Sequence, residues 1–151
     1  GLNIVGGGDE FYSVQETIKT LGLCKFIRLL GPIYDQDILS EKFLTAVACI
    51  SPKQAGLSVL VSMGTSVPFI TSKNSITGGE IFNINTGVNG LTYTTQEDLE
   101  YILLDVSNNK AKYLKMGESA LLHYEKNRTP QMMVDSIYDA IKYVLNCENK
   151  K

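Results

Sequence analysis

Two hydrophobic patterns alternate along this chain. Short apolar-rich runs, as expected of strands covered on both faces, sit at Leu2–Val5, Lys25–Leu30, Ala46–Ile50 and Pro68–Thr71. Between them, apolar residues recur three and four apart. Phe11, Val14, Ile18 and Leu21 predict a helix from Asp9-Glu10 to about Leu21. Ile38, Leu39, Phe43 and Leu44 predict a short one over Gln36–Phe43. A small-residue helix is expected from Leu57, after Gly56, to about Gly64. Gly6–Gly8, Gly22, Gly31-Pro32 and Ser51-Pro52 punctuate the series, because proline removes a donor and glycine tolerates turn geometry.

The pattern changes after Thr71. Ser72–Gly79 is polar and reads as a loop, with Glu80-Ile81-Phe82 starting a short helix or turn. Val88-Asn89-Gly90 is a turn signal before a strand at Leu91–Tyr93. Thr94-Thr95-Gln96-Glu97 reads as a capping box opening a helix to about Asn108. Lys110 to about Lys126 is helical, with Tyr113, Leu114, Met116, Leu121 and Leu122 apolar. Thr129-Pro130 opens a last helix with Met133, Ile137, Ile141 and Val144 as its apolar stripe. The charged tail Glu148–Lys151 is expected to fray. Strands alternating with helices predict an α/β fold: a doubly wound parallel sheet in three α/β/α layers, as one domain over residues 1–151.

Composition narrows the partners more than the fold. The 151 residues are 44% hydrophobic and 20% charged, ordinary for a globular chain with a core. A net charge of −2 gives no reason to expect nucleic acid or an anionic membrane. No apolar run approaches the roughly 20 residues of a membrane span. Cys24, Cys49 and Cys147 form no pairing pattern, which favours reduced thiols and a cytoplasmic setting. With His123 the only histidine, no metal-ligand spacing exists.

Pro52–Ser58 is the better of two candidate anion sites. Its small residues would let a phosphate approach the backbone, and N–H groups near Gly56, Leu57 and Ser58 would face a cleft at the carboxyl end of a strand. The same spacing suits an ordinary crossover. Lys53 could neutralise a phosphate or be solvated. Gly6-Gly7-Gly8 fits a dinucleotide fingerprint poorly, since Phe11 stands where a third glycine belongs, and a tight strand-to-helix turn is the better reading. Gly31-Pro32-Ile33-Tyr34 could take a flat ring or be a plain turn. Glu80 could hold a ligand hydroxyl or be a helix-start carboxylate, the latter slightly preferred. His123 reads as a surface or half-buried helix residue, and Met132-Met133 as core filler.

Taken in order, these blocks resemble the C-terminal, donor-binding domain of GT-B glycosyltransferases, in particular the family-4-like retaining enzymes of group 1. Asn3-Ile4-Val5-Gly6-Gly7-Gly8 resembles the family's strand ending in Val-Gly-x-Gly, and Phe26–Ile33 its Val-x-Phe-Leu-Gly-x-Val block. Ile50-Ser51-Pro52 through Gly56–Leu60, with Met63 and Pro68-Phe69-Ile70, resembles its most informative segment. Gly79-Glu80-Ile81 with Gly87–Leu91 resembles its loop and turn before the last strand.

The resemblance implies a UDP- or GDP-sugar donor, with Gly7, Gly8, Pro32, Ile33, Lys53, Ala55, Gly56, Leu57, Ser58, Val61 and Glu80 as donor-binding positions. The base would lie near Ile33 and the diphosphate over Ala55–Ser58. It implies no cofactor or metal beyond the donor, and assigns no catalytic residue in this chain. The acceptor, a glycan or lipid-linked sugar of bacterial polysaccharide or glycoconjugate synthesis, would engage an N-terminal domain. Through that domain the protein would sit in the cytoplasm, at the inner face of the membrane. Members carry Glu-x7-Glu across the central loop and helix; here those positions hold Lys53 and Val61. A subgroup reading Ser-Pro-x-x-x-Gly-Leu also lacks the first glutamate, and Ser51–Leu57 resembles it. A non-catalytic Rossmann-like scaffold is the alternative. The family's first strand, its arginine- and lysine-bearing loop and the acceptor domain would all precede Gly1. The expectation is therefore a fragment, inactive alone, whose strands close up in the order 2-1-3-4-5.

Overall fold

A computed structural model describes residues 1–148. The expected fraying of the charged tail falls on residues 149–151, outside the described residues; Glu148 still belongs to a helix. The chain packs as two units, Gly1–Lys42 and Phe43 onward.

In the first unit, β1 (Leu2–Val5) and β2 (Ile27–Gly31) run parallel, with Leu2 opposite Ile27 and Ile4 opposite Leu29. The register slips between Ile4 and Val5, so Val5 pairs with Gly31, whose φ of 72° suits glycine. Helix α1 (Phe11–Thr20) stops as expected at Gly22, with φ 66°. Of its predicted stripe, Ile18 is buried and Phe11 half-buried, whereas Leu21 is exposed. Asp35 opens α2 (Gln36–Leu44), its Oδ1 accepting from the amides of Asp37 and Ile38 at 2.9 and 3.1 Å.

The second unit holds a three-stranded parallel sheet ordered β3-β4-β5: β3 (Cys49–Ser51), β4 (Phe69–Ser72) and β5 (Gly90–Tyr93). β3 starts three residues later than the apolar run predicts. Its first bond is Cys49 N–H to Pro68 O, and Pro68 has no N–H with which to extend the ladder backwards. Central β4 is buried at Phe69, Ile70 and Thr71. Neighbouring strand positions point to opposite faces, and each face has its own core. Phe69 packs with Ala55, Val59, Met63 and Ala120; Ile70 packs with Tyr93 and Tyr113. Each large side chain so buried contributes about 1.5–3 kcal/mol.

Helices α3 (Ser58–Gly64), α4 (Gln96–Asn108), α5 (Lys110–Asn127) and α6 (Pro130–Glu148) complete the unit, with a 3-10 turn over Glu80–Asn83. Three expectations need correction. The capping box is one residue later than read: Thr95 Oγ1 accepts from Asp98 N–H, and the Asp98 carboxylate accepts from the amides of Thr95 and Thr94. In α5 the buried face is Tyr113, Met116, Gly117 and Ala120, while Leu114 and Leu122 are exposed. Met132, Met133, Ile137, Ile141 and Val144 of α6 are exposed rather than core, the last four by more than half.

The parallel α/β architecture is therefore as expected. The two sheets contain every adjacency of the order 2-1-3-4-5 except that of β1 with β3.

Candidate functional site

The candidate loop leaves the sheet at Ser51-Pro52. The β3–β4 ladder ends at the pair Ser51 and Thr71. Side chains take over. Thr71 Oγ1 donates to Ser51 O at 2.7 Å and lies 2.5 Å from Ser75 Oγ. Tyr93 OH donates to Pro52 O at 3.2 Å. Farther along, Ile76 N–H donates to Lys53 O and Ala55 N–H to Ile76 O, at 2.9 and 2.8 Å.

Beyond those ties the chain turns into α3. Ala55 is fully buried and its amide is engaged, so it supports the loop from beneath. The amides of Gly56, Leu57 and Ser58 have no backbone or side-chain acceptor among the described residues, as in any first helical turn. A Cβ at Gly56 would meet nothing within 4 Å, so the space above the loop is open. Lys53, Leu57, Ser58 and Val61 are exposed. The loop thus presents N–H groups and a solvated ammonium at a strand end, a setting that suits an anion.

Glu80 lies on the loop that follows β4. Its Oε2 accepts from Gly78 N–H at 2.9 Å and Thr77 Oγ1 at 3.2 Å. Its pKa is lowered, first by its own backbone N–H and then by those two groups. This is the helix-start carboxylate of the preferred reading. Two buried asparagines secure the same loop. Asn83 donates to Glu80 O and accepts from Arg128 Nε; Asn89 donates to Asn83 O and accepts from Asn85 N–H.

In the first unit, Gly6 and Gly8 have φ of 146° and 148°, and Gly8 O accepts from Phe11 N–H to start α1. A Cβ on Gly7 would lie 3.4 Å from Pro32 Cδ, so the structure brings these two predicted residues together. Gly7, Gly8 and Pro32 are exposed and Ile33 is half-buried. The glycines do what a tight strand-to-helix turn needs.

Sequence reasoning missed Thr71, Ser75 and Tyr93. Their signal was weak: one polar residue closing an apolar run, and one tyrosine closing a short strand. It also missed an open depression of about 400 Å³ lined by Lys73, Tyr93, Asp98 and Tyr101, which includes none of the predicted residues. Cys49 is an inert thiol, its pKa pushed up to about 11 by burial. His123 is half-buried within α5, as expected.

No family model matches this chain, and no curated protein sequence does. Solved structures do. A sucrose-phosphate synthase from Thermosynechococcus elongatus matches with a TM-score of 0.78 at 16% identity, over 97% of this chain and 38% of its own. Anabaena Alr3699/HepE in complex with UDP matches with a TM-score of 0.69 at 20% identity, over 96% of this chain and 40% of its own. The C-terminal domain of a glycosyl transferase group 1 family protein, LpcC from Francisella tularensis, matches with a TM-score of 0.67 at 16% identity. That match covers 81% of this chain and 64% of its own. The chain thus matches in structure the C-terminal domains of group 1, GT-B glycosyltransferases over most of its length. It spans less than two thirds of the length of each of these relatives.

Proposed function

We propose that this chain, which has the fold of the C-terminal domain of a group 1 glycosyltransferase, binds the nucleotide-sugar donor of such an enzyme. The observation that carries the reading is the trio of amides at Gly56, Leu57 and Ser58, without acceptors among the described residues, at the carboxyl end of a parallel sheet. HepE, with this fold, is in complex with UDP and, in another structure, UDP-glucose. The donor is a UDP- or GDP-sugar, and its diphosphate lies against those amides with Lys53 nearby. The acceptor is held by a part of the enzyme outside residues 1–151.

The chemistry is electrostatic. As the glycosidic bond breaks, negative charge gathers on the leaving diphosphate. Fixed N–H dipoles stabilise that charge more than the ground state, and so lower the barrier. Lys53 adds a point charge at the same edge. Val61 is exposed and brings no polar atom, so it supplies no ribose hydrogen bond. That observation favours a second reading, a non-catalytic domain that kept the fold.

Titration of the chain with UDP, GDP and UDP-glucose, followed by amide chemical shifts, separates the two. Binding with shifts at Gly56–Ser58 supports the donor role; no shift at millimolar nucleotide supports the second reading. Gly56→Asp sharpens the test. Its backbone is not in the left-handed region and its Cβ has open space, so folding is retained. The new carboxylate repels a phosphate, and UDP affinity is expected to fall at least about tenfold.

A further inference from the structure

Two hydroxyls from neighbouring strands bond the carbonyls at the start of the candidate loop. Ser51 O and Pro52 O are consecutive carbonyls at the end of the β3–β4 ladder, and each accepts a side-chain hydroxyl from a different strand. Thr71, at β4, is fully buried and bonds Ser51 O; Tyr93, at β5, is 8% exposed and bonds Pro52 O. The one Thr71 hydroxyl proton goes to Ser51 O, so Ser75 Oγ is the donor in their 2.5 Å contact. That contact draws the 72–76 loop in, and its Ile76 brackets the candidate loop by bonding Lys53 O and Ala55 N–H. Without these hydroxyls both carbonyls lose a side-chain partner, and only the Ile76 bonds farther along still hold the angle at which the chain departs.

We propose that Thr71 and Tyr93 are positioning residues for the 52–58 loop, holding the Gly56–Ser58 amides in one geometry before any ligand arrives. This rests on the nucleotide reading above and extends it. A preorganised anion site binds tighter than one that must order itself, so removing either hydroxyl weakens binding without touching the ligand.

The test compares Tyr93→Phe and Thr71→Val with Thr71→Ser, which keeps the hydroxyl, and with Met116→Ala. Met116 is buried in α5 and takes part in none of these bonds, so its variant lowers stability alone. Two readouts are taken well below each melting temperature: hydrogen exchange at the amides of residues 53–58 without ligand, and affinity for UDP. Expected are faster exchange and roughly fivefold weaker UDP binding in Tyr93→Phe and Thr71→Val. Near wild-type values are expected in Thr71→Ser and Met116→Ala. Unchanged loop exchange in both hydroxyl-deleted variants overturns the proposal, as does equal weakening in Met116→Ala. A wild-type chain that binds no UDP overturns the nucleotide reading instead, while exchange still decides whether the hydroxyls set the loop.

Discussion

Gly117 shows how one absent side chain fixes a packing distance. It lies on the buried face of α5, and a Cβ built there would penetrate Ser66 O and reach within 3.3 Å of Pro68 Cδ. Ser66 is itself held at φ 61°, so the tight turn before β4 has little room to retreat. Gly117→Ala is therefore expected to cost about 3 kcal/mol or more, at the upper end of overpacking, read as a lowered denaturation midpoint with unchanged slope. A second residue responds to pH. His123 Nε2 is buried without a hydrogen-bond partner among the described residues, and its pKa is lowered from 6.5 by burial and then by Arg128. The unfolded chain takes up that proton more readily, so stability is full above pH 6.5 and falls as pH drops below it. Replacing His123 by Leu should flatten that part of the curve, measured by urea unfolding across the range. Sequence reasoning placed His123 correctly but gave no hint of Gly117, because a glycine inside a helical pattern looks the same whether it faces solvent or a backbone.

Among the elements, α4 and α5 are joined through one carboxylate. Asp105 Oδ2 accepts from Lys112 Nζ at 2.6 Å and Tyr113 OH at 2.9 Å, and Oδ1 from Asn109 Nδ2 at 2.6 Å. These bonds, Lys112 first, hold Asp105 at about 2, down from the usual 3.8. The sign follows directly. The folded chain keeps this carboxylate ionised where the unfolded chain is protonated, so its stabilisation is present above 3.8 and fades as pH falls towards 2. Asp105→Asn should remove that acid-sensitive part and leave the neutral-pH fold in place, as judged by circular dichroism during acid titration. Helix existence was legible here from periodicity, and the break between α4 and α5 from Asn108-Asn109. The joint was not, because Asp105, Lys112 and Tyr113 meet only once the two axes are set. The same applies to the candidate loop. Its small residues and its proline could be read directly, whereas the hydroxyls of Thr71 and Tyr93 reach it across the sheet from 20 and 41 residues away.

For the molecule as a whole, alternation of strands and helices gave the parallel pairings β1 with β2, β3 with β4 and β4 with β5. Alternation cannot rank the units by stability; burial can. Among the described residues, Ile18 is the only hydrophobic side chain of residues 1–42 below the exposure of a core position, and Leu2, Val5 and Leu30 of its two strands are at least 36% exposed. The unit from Phe43 onward holds Val59, Met63, Phe69, Ile70, Tyr113 and Ala120 in two packed clusters. Buried apolar area is what offsets chain entropy, so the first unit has the smaller margin and opens first. Native-state hydrogen exchange should find the β1 and β2 amides opening at lower free energy than those of β4. Limited proteolysis should cut within residues 1–42 before it cuts the sheet of the second unit. Equal protection of β1 and β4 would overturn that ranking.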